Sequence, residues 1–274
     1  MNRNPSTHEP RNHRTVLITG ASAGIGQAFA EVFAAEGWDV VLTARRDDRL
    51  RALAGRLQAQ HGITANVIVA DLADRAAPAH IVSSLAQLGV HVDALVNNAG
   101  YGVPGSYLRS QWTRHDAMMQ VMVGAVTELT YRLLPGMIER RYGRIIHVAS
   151  LAALVPSPGG HTLYAATKAF LVKFAESLGH EVRSAGVHVT AICPGFTHSE
   201  FHDVTGTRQQ MKNLPSWMWL DAQTVARQGY DAVMAGTPLY INGRVNRTIA
   251  TLVRVAPQWL IHAVERRIGH RKSD

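Results

Sequence analysis

The 274-residue sequence predicts an α/β fold, a single doubly wound parallel sheet with helices on both faces. Short apolar runs alternate with longer amphipathic stretches from Thr15 onward, the rhythm of repeated strand–helix–strand units. A glycine-rich loop joins the first run to the first amphipathic stretch, where an open parallel sheet passes from strand to helix. There is no internal repeat, and no Pro/Gly/Ser-rich linker is long enough to divide the chain, so one domain is expected.

The apolar run Thr15 to Thr19 reads as a buried strand. Ile25 to Glu36 reads as a helix with Ala28, Phe29, Val32 and Phe33 on one face and Gly37 as its stop. Asp39 to Thr43 predicts a second strand, and Asp47 to His61 a charged helix ended by Gly62. A third strand (Asn66 to Ala70), a third helix (Ala76 to Leu88) and a fourth strand (Val92 to Asn97) follow. Gln111 to Arg140 predicts mainly helix, broken near Pro135-Gly136. Arg144 to Ala149 predicts a strand, Tyr164 to Ser184 a long helix, and Val187 to Cys193 another strand. Phe196 to Leu220 breaks the rhythm. Its Met211, Leu214, Trp217, Met218 and Trp219 read either as an apolar cover over a lipophilic substrate or as core and subunit packing. Asp221 to Ala235 is helical again, and Leu239 to Asn242 is a last strand. The expected division is a disordered lead-in at 1–14, a domain at 15–247 that includes the substrate-side stretch 196–220, and a basic amphipathic tail at 248–274.

Composition narrows the function. Hydrophobic residues make up 46% and charged residues 18%, ordinary for a globular domain. The net charge of +8 comes mainly from arginine, but no basic run is long or interleaved with aromatic residues. That argues against a nucleic-acid groove and for an Arg-rich solvated surface. No apolar stretch is long enough to span a bilayer, and the first residues lack a signal-peptide core. The basic tail around Arg254, Arg266, Arg267 and Arg271 reads as a solvated helix or a subunit contact rather than a membrane-surface anchor. The single cysteine, Cys193, excludes an intrachain disulfide, fits a cytoplasmic location, and reads as a small buried hydrophobe. The histidines show no metal-ligand spacing, so no metal is expected. His161 and His198 flank the presumed cleft, as substrate contacts or scattered surface residues.

Four segments carry chemistry. Thr19-Gly20-Ala21-Ser22-Ala23-Gly24-Ile25-Gly26 lies between a strand and a helix, where glycines let the backbone approach a pyrophosphate and the helix N-terminus offers N–H groups. The second strand ends Thr43-Ala44-Arg45-Arg46, with no acid for the adenosine ribose hydroxyls. Arg45 and Arg46 there suit a 2′-phosphate, which predicts NADP(H) as preferred cofactor with NAD(H) possible; the bland alternative is that both arginines sit in solvent. Tyr164 and Lys168, four apart, share one helical face, and an ammonium there would lower the tyrosine pKa into a useful range. The strand end His147-Val148-Ala149-Ser150 can bring a hydroxyl to the same cleft.

With these segments in hand, the chain resembles the short-chain dehydrogenase/reductase family, whose fold is Rossmann-type. The matching pieces are the Thr19–Gly26 loop, Asp71-Leu72, Asn97-Asn98-Ala99-Gly100, Ser150, Tyr164-x3-Lys168 and Pro194-Gly195, in the family's order over roughly residues 14 to 200. The resemblance implies an oxidoreductase that moves a hydride between nicotinamide and a carbonyl or alcohol carbon. It implies Tyr164 as general acid or base, Lys168 as its tuner and a ribose contact, and Ser150 as holder of the substrate oxygen. It places Gly20, Ser22, Gly24, Ile25, Gly26, Asp71, Leu72, Asn98, Ala99, Gly100, Pro194, Gly195 and Ser199 along the cofactor, with Asp71 and Asn98 on the adenosine side. It also implies a homo-oligomer acting on a small molecule, and Phe196, Glu200-Phe201-His202 and Pro215-x-Trp217 resemble a subgroup acting on apolar carbonyls.

Two departures stand out. Val121-Met122-Val123-Gly124 has Met122 where the family usually has an asparagine that holds a relay water, with Ser106 and Tyr107 as conceivable substitutes. The Ser150-to-Tyr164 interval is one residue longer than usual, an insertion expected in Pro156-Ser157-Pro158-Gly159-Gly160-His161. Met122 keeps open an alternative, a nucleotide-binding sensor or interaction protein with little catalysis.

Overall fold

The structure, a computed structural model, describes residues 14–156, 162–198 and 215–257. Seven strands, β1 (Thr15–Thr19), β2 (Asp39–Ala44), β3 (Ala65–Val69), β4 (Ala94–Asn97), β5 (Gly143–Val148), β6 (Val187–Cys193) and β7 (Leu239–Ile241), form one sheet in the order β3-β2-β1-β4-β5-β6-β7. Every neighbouring pair is parallel. The strand order grows outward from β1 on one side and from β4 on the other. Loops leaving these two strands therefore diverge and open a crevice at their carboxyl ends.

The helices are α1 (Gly24–Ala35), α2 (Asp47–His61), α3 (Ala77–Gln87), α4 (Trp112–Met119), α5 (Ala125–Glu139), α6 (Thr162–Val182), α7 (Ala222–Met234) and α8 (Arg244–Val255). Strands buried on both faces are apolar at successive positions, and β1 shows why. Val16 and Ile18 face a core with Phe29, Phe33, Leu50 and Val225 from α1, α2 and α7. Leu17 faces the opposite core, with Ile81, Met118, Leu129 and Ala175 from α3 to α6. Phe33 sits edge-on to Trp38 at 5.2 Å and to Tyr230 at 5.0 Å, the geometry that aromatic quadrupoles favour. Gly229 lets α7 close on α1: a Cβ there would stand 2.7 Å from Phe29 Cζ.

The expected helix break at Pro135-Gly136 is absent, and α5 runs through to Glu139. Pro135 is exposed, so water can satisfy the carbonyl that its missing N–H leaves unpaired. The irregularity lies earlier, where Gln120–Gly124 forms a π-helical turn between α4 and α5. Other boundaries agree to within a few residues, and α2 and β6 fall where expected. The last helix begins at Arg244 and buries Asn246 and Ala250, so it runs across position 248, where the tail was placed. At the other end Arg14 already belongs to the fold. Its carbonyl accepts from Asp39 N at 2.9 Å, and its guanidinium lies 3.9 Å from the Tyr142 ring centroid. Residues 1–13 and 258–274, with Arg266, Arg267 and Arg271, lie outside the described residues.

Candidate active site

The loop after β1 is held from β4. Asn98 Nδ2 donates to Thr19 O at 2.8 Å and to Gly20 O at 3.3 Å. Thr19 Oγ1 accepts from the N–H groups of Asn98 and Ala99 at 2.9 and 3.0 Å and donates to Val96 O at 3.2 Å. The glycines answer to this packing. Gly20 has φ of +67°, and a Cβ there would lie 2.8 Å from Asn98 Nδ2; at Gly26 it would lie 2.4 Å from the same atom. The Asn98 amide N–H groups are thus spent on the loop backbone. The loop delivers the chain into α1 at Ala23, which makes no side-chain cap, and the first turn of α1 carries no acid. Its N–H groups and positive dipole end are open to an anion, and a dinucleotide pyrophosphate fits them.

At the far end of this loop Arg46 reaches back. Its Nε and Nη2 donate to Ser22 Oγ at 3.1 and 2.9 Å. Arg45 is mostly exposed and stands 4.0 Å from the Asp71 carboxylate, which also accepts from Ala73 N at 3.0 Å. Leu72, next to Asp71, is buried in the core. Tyr101, which sequence reasoning missed, joins this corner: burial raises its pKa, the Asp71 charge adds to that, and Arg45 and Arg114 oppose it.

The second half of the crevice gathers Ser150, Tyr164 and Lys168. Ser150 follows β5, and its Oγ accepts from Ala152 N at 3.2 Å, capping a short 3-10 turn. Leu151 N donates to Pro194 O at 2.9 Å, so the segments after β5 and β6 are laced together. Tyr164 lies in the first turn of α6 with its side chain hydrogen-bonded to Ser150. Lys168, one turn on, is 4% exposed and donates from Nζ to Val148 O at 2.6 Å. Its Nζ lies 5.7 Å from the Tyr164 ring centroid.

The electrostatics differ from the sequence expectation. Burial pushes the Tyr164 phenol up to about 12, against the lowering effect of its bond to Ser150. Lys168 is not the force that sets this pKa; burial instead drives the lysine itself down to about 8. The short spacing of Tyr164 and Lys168 was legible, but the desolvation of both was not. Cys193 is buried behind them as expected, its thiol pushed up to about 12 by burial.

Two neighbours of the site, His147 and Asn246, gave no sequence signal. His147 is fully buried on β5, its Nδ1 3.2 Å from Asn97 Nδ2 and its ring 5.2 Å from that of Phe174. Burial, then the Lys168 charge, lowers its pKa to about 3. Asn246 of α8 backs Gly195, where a Cβ would lie 2.5 Å from Asn246 Nδ2. Just beyond Gly195, Trp219 is flanked by Phe196 at 5.8 Å and by His198, stacked at 4.8 Å. The stem of that segment is tied by Leu220 N to Phe196 O at 2.8 Å and His198 N to Leu220 O at 2.9 Å. Ser199, the stretch 200–214 with Met211 and Leu214, and 157–161 with His161 and the expected insertion lie outside the described residues.

The short chain dehydrogenase family model matches residues 14–210. Serine 3-dehydrogenase of Agrobacterium fabrum is 38% identical over 200 residues, covering 72% of this chain and 77% of that protein. Sulfoacetaldehyde reductase 2 of Chromohalobacter salexigens is 33% identical over 259 residues, covering 92% and 98%. Among solved structures, a short-chain dehydrogenase from Sphingobium yanoikuyae in complex with NADPH superposes with a TM-score of 0.77 at 28% identity, covering 93% of each chain. The bulky-bulky ketone specific alcohol dehydrogenase from Comamonas testosteroni gives 0.74 at 27% identity, covering 92% of this chain and 94% of that one. The chain belongs to the short-chain dehydrogenase family and is an oxidoreductase of that family.

Proposed function

We propose that this protein is an NADP(H)-dependent reductase of an apolar ketone or aldehyde, with Ser150, Tyr164 and Lys168 as its catalytic residues. The observation that carries the reading is the hydrogen-bonded Ser150–Tyr164 pair with the Lys168 ammonium buried one helical turn behind it. The bound dihydronicotinamide supplies the hydride. Ser150 Oγ holds the carbonyl oxygen, and Tyr164 gives that oxygen its proton. A phenol that burial keeps protonated is set up as an acid, which favours the reductive direction. Lys168 places a fixed positive charge beside the phenol, where it favours the phenolate formed as the proton leaves.

The uncapped start of α1 and Gly20, Ser22, Gly24, Ile25 and Gly26 suit the pyrophosphate, and Arg46 with Arg45 suits a 2′-phosphate. Asp71, Ala99 and Gly100 would line the cofactor, with Pro194 and Gly195 behind the nicotinamide and Ser199 beyond them. The Phe196–Trp219–His198 group offers a flat apolar wall two residues past Pro194, which supports an apolar substrate. The Comamonas enzyme named for bulky ketones is consistent with it. The exposed rings of Tyr131 on α5 and Phe170 on α6 support a homo-oligomer, to be read by light scattering. Titration with NADPH and NADH, followed by a panel of bulky ketones and small anionic aldehydes, tests the reading. NADPH oxidation on the ketones, abolished in Tyr164→Phe with cofactor affinity retained, is the expected result. Full activity in Tyr164→Phe would end it.

A further inference from the structure

The segment that follows β6 rests on one side chain of the last helix. A Cβ built on Gly195 would lie 2.5 Å from Asn246 Nδ2, 2.7 Å from its Oδ1 and 2.8 Å from its Cγ, so Gly195 packs on the carboxamide as a whole. Gly195 is not among the glycines with positive φ, so the close approach of Asn246 is what excludes a side chain there. The carboxamide has little freedom to yield. Asn246 is 7% exposed, and its Nδ2 donates to Asn242 O at 2.7 Å. Asn242 is fully buried and tied to two elements: its backbone N donates to Cys193 O at the end of β6 at 3.3 Å, and its Nδ2 to Gln228 Oε1 on α7 at 3.1 Å. Asn246 also borders the substrate side. Gly243 stands between it and Leu220, and a Cβ on Gly243 would lie 3.1 Å from both Asn246 Nδ2 and Leu220 Cδ2. Leu220 N donates to Phe196 O at 2.8 Å, and Leu220 O accepts from His198 N at 2.9 Å. From the opposite flank Leu151 N, next to Ser150, donates to Pro194 O at 2.9 Å. The Pro194–Phe196 segment is therefore clamped between the serine segment and α8.

We propose that Asn246 is a positioning residue for hydride transfer: through Gly195 it sets how far the Pro194–Phe196 segment stands forward, and so holds the nicotinamide at reacting distance from a carbonyl bound to Ser150 and Tyr164. The inference rests on the NADP(H) reading above, in which Pro194 and Gly195 lie behind the nicotinamide. Asn246→Ala takes away the group on which Gly195 rests, and the segment settles towards α8. A misplacement of about 1 Å at the reacting atoms costs on the order of a hundred-fold in rate. The adenosine half is served by α1, Ser22 and Arg46, which follow β1 and β2. β1 is three strands from β6, about 14 Å across the sheet, so that half keeps its contacts.

Binding of 2′,5′-ADP reads the adenosine half alone, and binding of NADPH reads both halves. Single-turnover mixing of the NADPH complex with the carbonyl that wild type reduces fastest reads hydride transfer. In Asn246→Ala the affinity for 2′,5′-ADP should stay within about two-fold of wild type, the advantage of NADPH over 2′,5′-ADP should fall about three-fold or more, and hydride transfer should slow about ten- to a hundred-fold. The affinity contrast needs no carbonyl. Gly195→Ala added to Asn246→Ala puts a methyl group into the vacated space and should recover hydride transfer by about three-fold or more. Thr190→Val is the structural control. It removes the buried bond from Thr190 Oγ1 to Thr237 O at 2.7 Å, lowers the melting temperature, and should keep the wild-type rate and affinity contrast. An Asn246→Ala protein with an unchanged contrast, or slowed no more than Thr190→Val, overturns the proposal. So does a loss of 2′,5′-ADP affinity as large as the loss of NADPH affinity. Failure of wild type to bind NADPH overturns the functional reading beneath it, whereas wild-type NADPH binding that Asn246→Ala leaves intact overturns the positioning role alone.

Discussion

Asn98 Nδ2 lies 2.8 Å from Thr19 O and 3.3 Å from Gly20 O, so one side chain from the β4 loop fixes the geometry of the β1 loop. These two loops flank the crevice, and the shape of the pyrophosphate site depends on the bond between them. Asn98→Ala removes the donor and leaves two carbonyls to be rescued by water, a loss of about 2 kcal/mol. The expected outcome is a lower melting temperature together with at least ten-fold weaker NADPH binding. Asn98→Asp should be worse than alanine, because a carboxylate would face two carbonyl oxygens. Melting curves and cofactor titrations on the two variants check the order.

Arg46 and Arg45 are unequal although they are adjacent. Arg46 is already turned onto Ser22 at the start of the cofactor loop, whereas Arg45 shares its charge with Asp71 at 4.0 Å across an exposed gap. A charge-assisted bond to a phosphate contributes about 1.5–3 kcal/mol. Arg46→Ala should therefore weaken NADPH roughly ten-fold or more and leave NADH nearly unchanged, with a smaller loss for Arg45→Ala. Adding Ala44→Asp with both arginines neutralised should turn the preference to NADH. Equal losses for both nucleotides would show that neither arginine meets a 2′-phosphate.

The fold was readable because its strands are short apolar runs at regular spacing, and because Gly62 stops α2 in the left-handed conformation that glycine favours. Tyr164 and Lys168 were readable because helical periodicity puts residues four apart on one face. What escaped were features made by distant contacts. Nothing near Pro135 announces that its freed carbonyl can be met by solvent, and nothing near Met122 announces a π-turn. The pairing of His147 with Asn97 depends on the parallel register of β4 and β5, which places their Cα atoms opposite each other. The sign of the Tyr164 shift also depends on burial, which spacing does not encode.

Lys168 should be a stability liability below its unfolded pKa. Its pKa falls from the ordinary 10.5 to about 8 on folding, so the unfolded chain binds the proton more tightly. The contribution of this group is most favourable above 10.5 and is lost as the pH falls through 8. The cost at pH 7 is about 3 kcal/mol, since each pKa unit is worth about 1.4 kcal/mol. Lys168→Met, which carries no charge into the same space, should melt above wild type at pH 7, with the gap closing towards pH 10. It should also lose nearly all turnover. A gap independent of pH would mean that the lysine's charge is solvated in the folded protein.

Gly195 and Asn246 should be coupled, although they lie in different parts of the sequence. A Cβ on residue 195 would come within 2.5 Å of Asn246 Nδ2 and 2.7 Å of its Oδ1. Asn246 is buried, with Nδ2 donating to Asn242 O at 2.7 Å, and Asn242 N donates to Cys193 O at 3.3 Å. This chain of bonds ties α8 to the end of β6, next to Pro194. Gly195→Ala forces the asparagine to move and breaks it, a loss of about 2 kcal/mol. Asn246→Ala loses the bond but removes the atoms that clash. The double variant should therefore be more stable than the sum of the two losses allows, by about 1 kcal/mol in denaturant unfolding. Strict additivity would show that residue 195 has room that its contacts do not show, and that α8 does not set the position of Pro194.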